Sequence, residues 1–224
     1  MHAVWMALLL AAGLQAAQPS QPTPASGKPA LDIALEQEID GKDVPVSPTH
    51  VFHSGDKIRV RVTSEFDGYL YIMDQGTSGS FATLFPTLAA GSDNRVQRGQ
   101  SYAIPSTSAT FQISGPAGFD VLYILLSPEP IAPPTASSFV APGPVSSLKP
   151  RCNDSVFRAR GECTDVTAGP APVPRDAALP APIAPLAGAA SRDIIVTKKK
   201  DGVTVSSEGS KTAPVIYTFR LAHN

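Results

Sequence analysis

Along most of this chain, apolar and polar residues alternate with a period of two. The clearest run is Lys57-Ile58-Arg59-Val60-Arg61-Val62. Ile58, Val60 and Val62 fall on one side and the three cations on the other, the pattern of a strand with one face on a core. Leu31, Ile33 and Leu35 alternate with Asp32, Ala34 and Glu36 and predict a second strand of the same kind. Tyr69-Leu70-Tyr71-Ile72-Met73 and Val121-Leu122-Tyr123-Ile124-Leu125-Leu126 are continuous apolar runs. They predict central strands covered on both faces. Val215, Tyr217, Phe219 and Leu221 form a final alternating row, and Val203 and Val205 a shorter one.

Turn chemistry separates these runs. Ser54-Gly55-Asp56 precedes the basic strand, Asp67-Gly68 supplies a bend, and Asp74 to Ser80 predicts a glycine-bearing hairpin turn. Phe81 to Phe85 predicts the returning strand, stopped by Pro86. Gln100 to Ile104 and Ala109 to Ile113 predict short strands around Pro105, and Gly115-Pro116-Ala117-Gly118 another tight turn. Val44-Pro45-Val46 cannot be a central strand, because proline donates nothing to a ladder. No ten-residue amphipathic helix follows the N-terminal segment. Around ten short strands with regular turns predict an all-β fold, an antiparallel β-sandwich of immunoglobulin-like or jelly-roll-like type.

Composition changes this picture at two places. Of the 224 residues, 23 are proline, and they recur between Pro128 and Pro150 and between Gly169 and Gly188. Such stretches favour extended, unpaired backbone. The expected organisation is a single domain formed by residues 31–127 and 192–224, with residues 128–191 as a proline-rich insertion. A two-stranded hairpin is marginal alone, so the segment after the insertion must pack on the sheets before it. At the N-terminus, Val4 to Leu14 is an unbroken apolar run followed by Ala16, Ala17 and a polar stretch. Residues 1–17 read as a secretory signal and residues 18–30 as a disordered spacer. The run is too short to cross a bilayer, so no stable membrane span is expected after cleavage; a retained anchor is the alternative. Periplasmic or secreted location follows, and with it an oxidising setting. Cys152 and Cys163 are therefore expected to form a disulfide across a short polar loop, in which Ser155 to Arg160 carries a weak helical signal.

Charge adds little. Eighteen Lys and Arg stand against 19 Asp and Glu, for a formal net charge of −1. A basic field able to displace counterions from nucleic acid is missing, as is one suited to an anionic membrane surface. The Lys57, Arg59 and Arg61 row is expected to be a solvated face that also discourages edge pairing. Lys198 to Lys200 is expected to be a charged turn.

Candidate chemistry is sparse. His50, His53 and His223 are the histidines left after the signal. His50 and His53 with Asp56 form a conceivable surface metal site, but two loop histidines are the preferred reading. Asp67, Asp74 and Asp93 read as turn residues, since none sits in a dense calcium-type loop. Gly76-Thr77-Ser78-Gly79-Ser80 lacks the spacing of a nucleophile elbow. Tyr69, Tyr71, Tyr123 and Tyr217 lie in strand runs and are assigned to packing. No catalytic residue, cofactor-binding residue or metal ligand is assigned, and no cofactor is expected.

One set of residues carries a family resemblance. Phe52, Gly55-Asp56, Asp67-Gly68-Tyr69-Leu70-Tyr71, Leu84-Phe85-Pro86, Gly99, Ile104-Pro105, Gly115-Pro116-Ala117-Gly118 and Leu125-Leu126-Ser127 resemble the bacterial family called domain of unknown function 4384. The resemblance covers residues 50–127, with looser support from 192–223. It implies an extracytoplasmic β-rich module; some members are fused to kinases or caspase-like peptidases, and others stand alone behind a signal. It implies no catalytic residues, and Gly55, Asp56, Gly68, Tyr69, Leu70, Tyr71, Phe85, Pro86, Pro105, Gly115 and Gly118 are read as structural positions. The cysteine-bearing insertion departs from the family pattern. The functional expectation is a non-catalytic binding or protein-interaction module of the bacterial cell envelope. Its partner would be an envelope protein or surface ligand, met at sheet edges, the Gly115–Gly118 turn or the disulfide loop. A periplasmic hydrolase and a structural envelope component are the alternatives.

Overall fold

The computed structural model describes residues 30–131, 149–152, 163–177, 179, 183–184, 190–199, 202–207 and 213–224. The signal segment, the weak helical signal at 155–160 and the Lys200-Asp201 turn lie outside these residues. The described chain is all-β, with two packed sheets of seven strands each.

The first sheet has the order β12 (Ile194–Lys199), β13 (Gly202–Ser207), β1 (Ala30–Ile39), β4 (Lys57–Ser64) and β8 (Ser101–Ile104). β2 (Lys42–Val46) continues the β13 side of β1, and β9 (Phe111–Gln112) pairs with the start of β4. The second sheet has the order β11 (Gly169–Pro172), β14 (Val215–His223), β10 (Gly118–Ser127), β5 (Gly68–Gln75) and β6 (Phe81–Phe85). β7 (Arg95–Val96) pairs antiparallel with β5, whereas β3 (Val51–Phe52) runs parallel to the end of β14. The two-sheet architecture expected from the alternation is therefore present; among the described residues the pairing is antiparallel apart from the short β3–β14 pair and a parallel Ser191–Val215 bridge.

The core lies between the sheets. Leu31, Ile33, Leu35, Ile58, Val60, Val62, Val203 and Val205 close from one side. Leu70, Ile72, Leu122, Ile124, Leu126, Tyr217, Phe219 and Leu221 close from the other. Each set is one phase of a period-two row, so a register slip of one residue would turn it to solvent. Strands from before and after the proline-rich stretch share both sheets: β13 pairs with β1, and β14 pairs with β10.

A second apolar cluster covers the outer face of the second sheet. Tyr71, Met73, Tyr123, Leu125 and Ile216 point away from the sandwich and pack against Val173 and Ile183, with Ile131, Ala177 and Leu179 beside them. This corrects the expectation that the proline-rich insertion stays outside the ladders. Its residues Gly169–Pro172 form edge strand β11 on β14. An edge tolerates Pro170 and Pro172 because only one side of the strand is paired. Tyr71 Oη anchors the cover, donating to the Ile131 carbonyl and accepting from the Ile131 amide, both at 2.8 Å. Arg192 donates to the carbonyls of Pro174 at 2.6 Å and Arg175 at 3.1 Å. The continuous apolar runs of β5 and β10 are thus explained by two dry faces.

The basic row on β4 is a second correction. It is solvated only in part: Lys57 is exposed and Arg61 half-buried, but Arg59 is only 6% exposed. It donates to the carbonyls of Ser106 at 3.0 Å and Ala109 at 2.8 Å and pairs with Asp43 of β2. Arg61 makes a two-pronged pair with Glu36 at 2.6 and 2.9 Å, and Lys57 reaches Glu38 at 3.0 Å. The neighbouring strands β1 and β2 carry an acidic row in register with the basic one, and the Ser106–Ala109 loop covers Arg59. Likewise Lys198 and Lys199 lie in β12, not in a turn, and Lys199 pairs with Asp32 at 2.8 Å.

Two glycines hold strands at distances no side chain allows. A Cβ on Gly68 would stand 2.6 Å from the Ser127 carbonyl oxygen, and one on Gly202 would stand 2.5 Å from that of Ile33. Both obstacles are backbone within a ladder and cannot swing aside. Gly68→Ala and Gly202→Ala should each cost roughly 1–3 kcal/mol, the usual price of overpacking. Urea unfolding midpoints measure this, with Gly76→Ala, which meets a serine hydroxyl at 3.2 Å, as the milder comparison.

Candidate functional site

The strands of the second sheet run out of apolar residues at one end of the sandwich. On β5 the inward row is Leu70, Ile72, Asp74; on β10 it is Leu126, Ile124, Leu122, Asp120; on β14 it is Phe219, Leu221, His223. The register sets Leu122 opposite Asp74 and Leu221 opposite Asp120. The same alternation that builds the core therefore delivers two carboxylates and an imidazole to its end. Asp74 was expected in the hairpin turn, but β5 continues through Gln75 and turns Asp74 inward. Asp67 and Asp93 do behave as turn residues, accepting from the amides of Arg98 at 2.8 Å and Arg95 at 3.0 Å.

A cleft of about 290 Å³ opens over this end. Asp74 and Asp120 line it, with the hydroxyls of Thr77, Ser78 and Ser80 from the β5–β6 turn and an apolar floor that includes Ile58, Val60 and Leu221. Asp120 Oδ1 accepts the Thr77 amide at 2.7 Å. His223 is fully buried, and its Nε2 lies 3.3 Å from Asp120 Oδ1. The contact does not form a hydrogen bond, and both ring nitrogens are buried without a partner. Asp74 Oδ1 is also buried without a partner. Unpaired buried polar atoms are costly, and their concentration here marks the spot as one not optimised for stability alone. Tyr217, deeper in the same row, buries an unpartnered phenol whose pKa burial pushes well above its usual value.

Electrostatics separates the two carboxyls. Burial first, and the negative charge of Asp120 second, raise the pKa of Asp74 from 3.8 to about 7, with His223 opposing the rise. Asp74 is thus able to donate or accept a hydrogen bond near neutrality. Ser78 and Ser80 bond to each other at 2.9 Å. His223 lies behind Asp120 and is not among the residues lining the cleft.

The expected site residues divide by role. Gly55, at φ +96°, and Asp56 shape the turn before β4. Asp56 Oδ2 accepts the His53 amide at 2.8 Å, and the backbones of Gly55 and Asp56 bond to Ile113 at the cleft wall at 2.9 and 2.8 Å. Leu70 and Phe85 are core; Tyr69 and Tyr71 face outward under the insertion. Pro86 and Pro105 follow β6 and β8 through cis peptide bonds. Gly115, at φ +102°, lines the cleft, and Gly118 lets β10 pass Thr77, whose Cγ2 would be 2.5 Å from an added Cβ. Gly115 therefore belongs to the cleft wall as well as to a turn, and Gly118 supports the cleft residue Thr77 from behind. His53 Nδ1 lies 3.9 Å from Asp56 Oδ2, while His50 packs edge-on against Phe52 at 4.7 Å. Among the described residues, no three His, Cys, Asp or Glu side chains are grouped to hold a metal ion. Cys152 and Cys163 are bridged, with Cα atoms 4.9 Å apart.

The polar end of the core went unread in the sequence. Its signal was present: an aspartate or histidine one step beyond the last apolar residue of an inward row.

Residues 51–130 match the family described as domain of unknown function (DUF4384), which bears out the resemblance over that segment. No curated protein and no solved structure matches the chain.

Asp74 links the cleft to pH. Its native pKa lies above the 3.8 of a free carboxyl, so the folded state binds the proton more tightly. That stabilising contribution is whole below pH 3.8 and is lost as pH rises through about 7. The unfolding free energy should fall across this window. Asp74→Asn, which cannot ionise, should flatten that part of the profile in denaturant titrations run at a series of pH values.

Proposed function

We propose that this chain is a non-catalytic binding module of the bacterial cell envelope, exported behind its N-terminal signal, and that the end cleft holds its ligand. The observation that carries this reading is Asp74 Oδ1, buried without a protein partner beside a cleft that a second carboxylate and three hydroxyls also face. Such a cavity suits a small ligand that brings its own hydrogen-bond donors, as an amine or a cluster of hydroxyls does. The disulfide supports an oxidising compartment, periplasmic or extracellular. A rigid two-sheet scaffold with the cleft at its loop end is the usual arrangement of a recognition domain. The hydrolase reading stands second. A general base must reach the substrate, and the one buried histidine near the carboxylates sits behind Asp120.

Titration with glucosamine and glucose, followed by amide chemical shifts, tests the proposal. Saturable shifts at Thr77 to Ser80 and Gly115 are expected, with the amine-bearing sugar the tighter. Asp120→Asn should weaken binding by about tenfold, the loss of a charge-assisted contact. Ser78→Ala, at the exposed rim, should weaken it less and leave the fold untouched. Shifts confined to other regions, or affinity indifferent to both variants, would reject this cleft as the binding site.

A further inference from the structure

We propose that a second cleft, on the outer side of β10 and β14, binds an oxyanion, a carboxylate or phosphate carried on a small apolar body. This site goes beyond the end cleft and lies one residue out of phase with it. Asp120, Leu221 and His223 face inward; Phe119 and Arg220, their neighbours in the chain, face out.

The outer cleft has a volume of about 380 Å³ and is lined by Phe119, Lys149, Arg151, Asp165, Val166, Thr167 and Arg220. Three cationic side chains thus meet one carboxylate, in a chain whose overall charge is −1. The carboxylate is already spent. Asp165 is 3% exposed; its Oδ2 accepts the Arg151 amide at 2.7 Å, and its Oδ1 accepts the amide and hydroxyl of Thr167, both at 2.8 Å. Burial pushes its pKa up, but these bonds and the charge of Arg220 outweigh burial and hold it below the usual value. It stays ionised and organises backbone. Among the described residues, no carboxylate lies within ion-pair distance of Lys149, Arg151 or Arg220. In sequence, the segment between the cysteines carries Arg158 and Arg160 and equally Asp154 and Glu162, so its formal charge is zero.

Arg220 is pre-positioned. Its guanidinium carbon lies 4.3 Å from the centroid of the Phe119 ring. Stacking occupies the flat face of a guanidinium and leaves its N–H edge for an acceptor, the geometry that recognises carboxylate and phosphate. Phe119 is itself packed on Cys163 and Cys152, so the disulfide backs the floor of the cleft. The bridge also sets Arg151, next to Cys152, against the Asp165 turn that follows Cys163. Val166, 72% exposed, places an apolar side chain at the mouth. A bare ion would leave that side chain and the Phe119 side of the cleft unused, which is the reason for an apolar body on the ligand.

The test uses the exported, oxidised protein and three probes: N-acetylalanine, its neutral amide, and inorganic phosphate. Saturable shifts at Arg151, Thr167 and Arg220 with N-acetylalanine or phosphate, and none with the amide, support the proposal; the tighter of the two anions names the source. Arg151→Gln and Arg220→Gln should each weaken binding by about tenfold, while Arg220→Lys, which keeps charge and loses the fork, should fall between. Arg151 is exposed, so its variant keeps the fold. Asp74→Asn should leave this affinity unchanged, which separates the two clefts. Equal binding of acid and amide, indifference to both Gln variants, or sedimentation with phosphatidylglycerol vesicles without small-anion binding would overturn it.

Discussion

The ladder between β10 and β14 is the constraint on which the remaining structure depends. Nine positions pair, from Gly118 with His223 to Leu126 with Val215. It brings the end of the chain into the middle of the second sheet, across the whole proline-rich excursion. The gain is large because both strands bury both faces: Leu122, Ile124, Tyr217 and Phe219 in the sandwich, Tyr123, Leu125 and Ile216 under the insertion. Long loops cost little more to close than moderate ones, so the entropy of that excursion is readily offset by apolar burial.

The same pairing decides where charge goes. Strand geometry sends successive side chains to opposite faces, and at this end of β10 and β14 it turns Asp120 and His223 inward and Phe119 and Arg220 outward. Asp120 lines the end cleft, and His223, both of its ring nitrogens unpartnered, closes the core behind it. Phe119 and Arg220 look to the other side, where the disulfide-bound segment supplies Lys149, Arg151 and Asp165. Two clefts of opposite character thus share one pair of strands.

The insertion carries more structure than its composition suggests. Prolines bar it from the centre of a sheet, yet an edge accepts them, and small residues between them let Val173 and Ile183 settle on the tyrosines of β5 and β10. The Arg59 and Arg61 row shows the same effect from the other side of the molecule. Read alone it is a wet face; read beside Glu36, Glu38 and Asp43 it is a set of cross-strand pairs partly roofed by a loop. Pairs of this kind specify register as much as they add stability.

The alternation of Leu31 to Leu35, of Ile58 to Val62 and of Val215 to Leu221 was enough to establish strands, the two-sheet class and the inward-facing residues. The cysteines were enough for the bridge, and the glycine and Phe-Pro motifs for the family likeness that holds over residues 51–130. These properties are local: each depends on the period of one strand or the chemistry of one turn. The acid–histidine end of the core, the cationic outer cleft, the buried Arg59 and the role of the insertion were settled only by tertiary structure. Each arises where strands far apart in sequence meet, and a strand's own pattern says which side a residue takes but not what waits there.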